Sequence, residues 1–524
     1  MEKNNSTDKT GLEDASNKRR TFLKQAASLT ALSAVGPLAG FATLASEQKP
    51  ADGKIIGIQI GPESFVDEGT ENVLDILQQK GAVNTVFLTA FTYGGGFAGR
   101  LRKGRSFPDH GEPASEEKFF HGGNYATPHA QYYRSTVLKE TRAPDHGKLD
   151  IINEVLPAAK KRGMKVFCGV EDRWDKALDV PGLKECAEID LMGNSTYDPK
   201  KRITTCVFNP NVREFWKGLV TDLSTSYNID GILFLNERTG PLMTVLGASP
   251  FRENIGDSSQ VTCFCEYHRK AAEEHHINFE RTKQGYLKLH EYVQDCIKNK
   301  RPNDGYYVAF QRILLDYPEI VAYDRLFDFG KHQILNEVRA AIKGVRKSLQ
   351  IVFHIEHTIS FNPFIRSALS YEDLAAKADF LKPVAYNNCG GERYANFLRN
   401  LNATIYKDVP INELMSMNNH ILNYPSEAKF EDLAKAGMSS DYVYRETQRA
   451  MTGVKGKCGI LTGIDINIPV NATSRQASPE DTYAATFAAL KAGAQGVILS
   501  RKYSEMRLTN LAGAGRAVRD AAKI

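Results

Sequence analysis

The chain has 524 residues, of which 42% are hydrophobic and 25% charged, a balance that excludes a disordered or collagen-like chain. Its formal net charge is +5, with +2 carried by residues 1–45 and +3 by the rest. No basic excess therefore directs it to nucleic acid or to an anionic membrane surface.

In chain order, Lys18-Arg19-Arg20-Thr21-Phe22-Leu23-Lys24 resembles a twin-arginine export motif and precedes an apolar run, residues 26–44. Thr43-Leu44-Ala45 offers a small-residue cleavage site. Gly36, Pro37 and Gly40 argue against a spanning helix, and no Cys follows for a lipid anchor. Residues 1–50 are read as signal and linker, and 51–524 as the folded domain. The twin-arginine machinery is then a partner, the destination periplasmic or secreted, and no stable membrane anchor is expected.

Residues 54–60 read as a first strand, 68–80 as a helix and 85–91 as a second strand. A long loop, residues 92–146, follows; its Tyr93, His121, Tyr125, His129, Tyr132 and Tyr133 suit the wall of a binding cleft. A helix at 149–161 leads to a third strand at 165–170, and a helix at 212–227 to a fourth at 231–235. An insertion (239–261) and helices at 265–277 and 279–299 precede a segment from 305 to 346. Strands five (350–357) and six (380–386) come next. A helical stretch at 430–451 leads to strand seven (459–465), a helix at 479–492 to strand eight (496–500), and a last helix runs to about 522. Eight strand-then-helix units predict an α/β fold, a TIM (β/α)8 barrel with long βα-loop insertions. No Gly-x-Gly-x-x-Gly follows a strand, so no dinucleotide cofactor is assigned.

In such a barrel, functional side chains gather at the C-terminal ends of strands. Strand two supplies Tyr93, strand three Glu171, Asp172 and Trp174, and strand four Asn236, Glu237 and Arg238. Strand five supplies His354, Glu356 and His357, strand six Tyr386, Asn387 and Asn388, strand seven Asp465 and Asn467, and strand eight Arg501 and Tyr503. Carboxylates, amides and aromatic rings are what a sugar site uses, the rings packing on apolar pyranose faces and the polar groups binding hydroxyls. Asn236-Glu237 at the end of strand four resembles the Asn-Glu signature of the large clan of (β/α)8 retaining glycoside hydrolases, and the chain from about 54 to 522 resembles exported glycosidase-like barrels. The resemblance implies a carbohydrate substrate, Glu237 as general acid/base and Asn236 on a sugar hydroxyl. The clan's second carboxylate is a Glu at the end of strand seven, where this chain has Asp465.

Glycoside cleavage needs two carboxyl groups across the anomeric carbon, one of them kept protonated by its surroundings. Glu237 suits the acid. Asp465 is taken as its partner, with Glu356 and Asp172 as rivals. Substrate contacts are expected from Asn236, Arg238, Asp172, Trp174, Tyr93, His354, Glu356, Tyr386, Asn387 and Tyr503. For Arg238, an ion pair with a neighbouring acid is an equal alternative.

Two other functions remain open on the residues. His354 and Glu356 share a strand face and, with Glu171 or Glu237, suit a metal-dependent sugar isomerase or epimerase. The missing strand-seven Glu suits a carbohydrate-binding barrel without turnover. Cys263-Phe-Cys265-Glu-Tyr-His268 approaches a zinc ligand set, but its Cys-x-Cys spacing is unusual and no fourth ligand stands nearby in sequence, so no metal is assigned. The eight cysteines form no evident disulfide framework, and Cys168 and Cys458 read as small buried hydrophobes.

Overall fold

The computed structural model describes residues 53–94, 109–110, 120–174, 180–198, 203–468 and 475–523. The expected export segment lies outside the described residues, as does much of the 92–146 loop.

Eight parallel strands close on themselves: β1 (Ile55–Ile60), β2 (Thr85–Thr92), β3 (Lys165–Glu171), β4 (Gly231–Leu235), β5 (Gln350–Ile355), β6 (Phe380–Pro383), β7 (Gly459–Asp465) and β8 (Gly496–Ser500). Each pairs with its sequence neighbour, and β1 pairs with both β2 and β8, so the sheet is a barrel without an edge. Seven strands match the sequence expectation within a residue or two. β6 stops at Pro383, three residues early, because proline has no N–H for the ladder; only Val384 continues it, as a single bridge to Gly463.

The barrel is filled by one layer of inward side chains, Ile55, Phe87, Phe167, Leu233, Val352, Phe380, Leu461 and Ile498, one from each strand. The Phe87 and Phe167 rings pack at 4.9 Å, tilted by 34°. Gly57 makes room for them: a Cβ there would lie 2.3 Å from the Phe87 ring. Each such side chain contributes about 1.5–3 kcal/mol by leaving water.

A polar device closes the opposite, N-terminal end. Asn84, Asp230, Asp379 and Gln495 each stand just before β2, β4, β6 or β8. Each side chain accepts the backbone N–H of the second residue of the preceding odd strand: Ile56 at 3.0 Å, Val166 at 2.8 Å, Ile351 at 2.8 Å and Ile460 at 2.7 Å. Lys160 and Lys343 add ammonium contacts to Asp230 and Asp379 at 2.7 and 2.8 Å.

The helices follow the strands: α1 (Pro62–Glu68), α2 (Thr70–Gly81), α3 (Ile151–Lys161), α4 (Pro210–Ser226), α5 (Glu266–Glu274), α6 (Phe279–Ile297), α7 (Tyr306–Asp316), α8 (Glu319–Val345), α9 (Gly390–Asn402), α10 (Ile411–Leu422), α11 (Phe430–Ala436), α12 (Ser440–Gly453), α13 (Pro479–Lys491) and α14 (Leu508–Ala521). The helix expected at 430–451 is two, because Gly437 turns the chain at φ +74°. Gly69 at φ +80° separates α1 from α2 in the same way. Helices α9 and α10 were not expected from the sequence.

The described part of the 92–146 loop packs on the barrel flank. Gly123 and Asn124 pair antiparallel to β2, Asp145 accepts the amides of His121 and Gly122, and Asp222 of α4 accepts His129 and Tyr133. Tyr125 and Tyr133 are buried there, so these two rings form part of the core and not an open cleft wall.

Candidate active site

Strand alternation carries the inward row of the core layer up to the open end. From Leu233 and Leu235 the next inward position is Glu237. From Val352 it is His354 and then Glu356, from Phe380 it is Lys382 and from Ile498 it is Ser500, while Leu461 and Phe167 lead through Gly463 and Gly169 to Asp465 and Glu171. A tier of polar groups thus lies directly above the apolar layer. Lys382 Nζ donates to Gln59 Oε1 at 2.6 Å and to Tyr386 Oη at 3.1 Å, and Ser500 Oγ donates to the same Gln59 oxygen at 2.6 Å. Burial lowers the Lys382 ammonium to about 7, against the opposing charges of Glu237 and Glu171.

Glu237 is the accessible acid of this tier. Its side chain keeps 35% exposure, whereas Asp465 is fully enclosed and Glu171 and Glu356 are buried. Its Oε1 lies 2.8 Å from His354 Nε2. Burial pushes the Glu237 carboxyl up, but the His354 hydrogen bond and the positive charges of His354, Arg173 and Arg393 outweigh it and hold the group well below the usual carboxylate range. His354 is itself lowered, first by burial and then by Lys382. At neutral pH the pair is therefore a carboxylate accepting the N–H of a neutral imidazole, since an ionised carboxylate only accepts. The expectation that this site raises the Glu237 pKa is reversed. The raised group is Glu356, pushed up first by burial, opposed by Lys331, and pushed further by the charge of Glu237.

Asp465 also sits at an inward strand end, but both its oxygens are engaged. Oδ1 accepts the backbone N–H and side-chain amide of Asn388, each at 3.2 Å, and Oδ2 accepts the Cys389 N–H at 2.8 Å. Burial, the largest effect, raises its pKa. It ties the β6 turn to β7.

Asn236 and Arg238 alternate to the opposite side. Arg238 Nε and Nη2 grip the two oxygens of Asp172 at 2.7 Å each, and Asn236 Nδ2 reaches Asp172 Oδ2 at 3.2 Å. With Arg238 and Asp172 both buried, the ion-pair alternative describes them, and neither side chain is presented to substrate.

Three other expected contacts are corrected by packing. Trp174 is fully enclosed and stacks on Tyr93 at 5.1 Å, among Phe91, Phe215 and Trp216, so neither ring offers a face to a sugar. Tyr503 is buried with its hydroxyl donating to Glu68 at 2.7 Å.

Tyr386 and Asn387 stay at the mouth with little exposure. The guanidinium of Arg393, on α9, stands 6.0 Å over the Tyr386 ring and 2.9 Å from His357 Nδ1. Asn236 Oδ1, Asn387 Oδ1 and His354 Nδ1 are buried and meet no hydrogen-bond partner among the described residues. Buried polar atoms of this kind await a ligand or water.

Lys382, Gln59 and Ser500 were missed in the sequence because each sits inside a strand-like run; counting in twos from the core layer finds them. Arg393 carries no such signal, since its helix was not expected. One group of residues suited to holding a metal ion lies outside the mouth, where Cys206 joins Cys263, Cys265 and His268.

No family model matches the chain, and no curated protein matches it. Among solved structures it is similar to a β-galactosidase from the Antarctic haloarchaeon Halorubrum lacusprofundi, with TM-score 0.49, 13% identity, 90% of this chain and 58% of that one covered. It is similar to alpha-L-fucosidase isoenzyme 2 from Paenibacillus thiaminolyticus, with TM-score 0.48, 13% identity and coverage of 90% and 49%. The PgaB (BpsB) glycoside hydrolase domain from Bordetella bronchiseptica gives TM-score 0.45, 10% identity and coverage of 89% and 98%. The chain spans about half the length of the fucosidase chain.

Proposed function

We propose that the chain is an exported enzyme that cleaves a glycosidic bond at the open end of its barrel, with Glu237 as the ionised carboxylate and Glu356 as the proton donor. The observation that carries this reading is the opposite bias of these two neighbouring inward acids. One is held ionised by His354, and the other has its pKa raised by burial, against Lys331, and raised further by the charge of the first. Environments that push two carboxyl groups apart divide the roles of acid and base. Asp465 is set aside as the partner because Asn388 and Cys389 occupy its oxygens.

In the reaction, Glu356 protonates the leaving oxygen while Glu237 either attacks the anomeric carbon or draws a proton from water. A carboxyl separation of about 5–5.5 Å serves the first course and about 6.5–9.5 Å the second. His354 holds the Glu237 carboxylate in place, and Asn387 Oδ1 is an acceptor for a sugar hydroxyl.

The test is a panel of 4-nitrophenyl glycosides assayed with the wild-type chain and with Glu237→Gln. On the substrate that turns over, Glu237→Gln is expected to lower kcat by about 10²- to 10⁴-fold while ligand binding persists. Sugar binding without turnover in the wild type would instead establish the carbohydrate-binding barrel. Turnover that depends on added divalent metal and yields an isomerised sugar would establish the isomerase.

A further inference from the structure

Two segments far apart in sequence bring four soft ligands together. Cys206 lies in the loop before α4, Cys263 in the strand-like segment before α5, Cys265 at the N-cap of α5 and His268 in its first turn. The ligand atoms of all four lie within 4.8 Å of one another. Cys206 Sγ is 3.4 Å from Cys265 Sγ and 3.1 Å from His268 Nδ1, and Cys265 Sγ is 3.9 Å from that nitrogen. A tetrahedral ion with zinc–sulfur bonds of about 2.3 Å and a zinc–nitrogen bond of about 2.0–2.1 Å demands sulfur–sulfur edges of about 3.8 Å and sulfur–nitrogen edges of about 3.6 Å. The two sulfur–nitrogen edges, 3.1 and 3.9 Å, lie on either side of that value, the Cys206–Cys265 edge of 3.4 Å is slightly short, and Cys263 Sγ lies within 4.8 Å of the other three ligand atoms, a spacing that an ion can draw in.

We propose that Cys206, Cys263, Cys265 and His268 bind one structural zinc ion with four protein ligands and no open position. Cys206 is the fourth ligand that the sequence did not disclose, because it stands 57 residues before Cys263. Sulfur and imidazole in a closed tetrahedron select zinc over the oxygen-seeking divalent cations.

The surroundings fit a metal-bound thiolate. The Phe208 N–H points at Cys206 Sγ at 3.4 Å, the kind of contact that orients a ligand from the next layer out. Cys265, at the N-cap, makes no side-chain capping bond, so its sulfur is free to turn inward beside the residue three positions on, as capping-box side chains do. Tyr323 donates to the Cys263 carbonyl and fixes that strand-like segment from α8.

The ion also has a structural task. Thr205, next to Cys206, accepts Arg238 through both its carbonyl and its hydroxyl. Thr262, next to Cys263, donates to Glu188 at 2.6 Å, and Glu188 lies 3.5 Å from Arg238. Zinc would therefore lock the two segments that hold the Arg238–Asp172 pair beside Glu237. The site does not depend on the glycosidase reading.

The test is elemental analysis of the full chain purified without chelator or added metal. The expected result is one equivalent of zinc in the wild type and in Cys296→Ser, a buried cysteine outside the cluster, and its loss in Cys206→Ser. Should Cys206→Ser fail to fold, zinc-edge X-ray absorption on the wild type decides: three sulfur and one nitrogen neighbours at about 2.3 and 2.0–2.1 Å support the site. Wild-type protein without stoichiometric zinc, equal zinc in folded Cys206→Ser, an all-oxygen or all-nitrogen shell, or a disulfide among the three cysteines in a peptide map would each overturn it.

Discussion

Glu237 and Glu356 differ through what surrounds them, and that difference sets the expected pH profile. On the proposed mechanism activity needs Glu237 ionised, so its loss on acidification is expected only at very low pH. It also needs Glu356 protonated, so activity falls as pH rises through the raised Glu356 pKa, producing a bell. Glu356→Gln is expected to abolish the alkaline limb along with most turnover of substrates with poor leaving groups. An alkaline limb unchanged in that variant would move the acid elsewhere. Lys382 makes a separate residue-scale prediction. Unfolded, it holds its proton to about 10.5; folded, it releases it near 7. Between those values the unfolded chain binds more protons, so stability rises with pH across the window, and the cost of burying the ammonium is complete below 7. Lys382→Met should flatten that rise in urea titrations run at a series of pH values. A slope equal to wild type would show that another group titrates there.

At the scale of elements, the base of the barrel rests on repeated side-chain caps. Asp379 accepts both the Ile351 N–H and the Lys343 ammonium. Asp379→Ala leaves a strand amide without its acceptor and is expected to cost about 1–3 kcal/mol in chemical denaturation. The same change at an exposed acid such as Glu480 should cost nothing measurable. The Asp172–Arg238 pair joins β3 to β4 in a buried fork. Asp172→Ala would strand a guanidinium in the interior and is expected to cost about 3–5 kcal/mol. Part of that cost should return when Arg238 is also changed to Met, since the double variant no longer buries an unpaired charge.

For the whole molecule, the export proposal stands on residues 1–50. Replacing Arg19 and Arg20 with Lys is expected to keep the chain in the cytoplasm of a cell that exports the wild type, read by fractionation. Equal periplasmic or extracellular levels would remove the twin-arginine reading. No helix among the described residues is long and apolar enough to cross a membrane.

The barrel was legible because its signals are local. Each strand is a short apolar run ended by Gly, Pro or a polar cluster, and eight of them alternating with helices admit few other closures. The inward row was legible in part: Glu237, His354 and Glu356 follow from alternation once a strand is placed. What tertiary structure alone decided is which polar groups face which. Asp465 could not be distinguished from a free carboxylate until Asn388 and Cys389 were seen to occupy it. Trp174, Tyr93 and Tyr503 look alike in sequence whether they line a cleft or a core, because burial depends on segments far along the chain. The pKa of Glu237 was misjudged for the same reason, since the strand end is apolar but His354 arrives from 117 residues away. The sequence by itself determined the strands, the closure and part of the inward row, because periodicity is a property of neighbours. The environment of each acid, and the meeting of Cys206 with Cys263, Cys265 and His268, belong to the fold, because charge, burial and ligand geometry are set by whatever the barrel brings alongside.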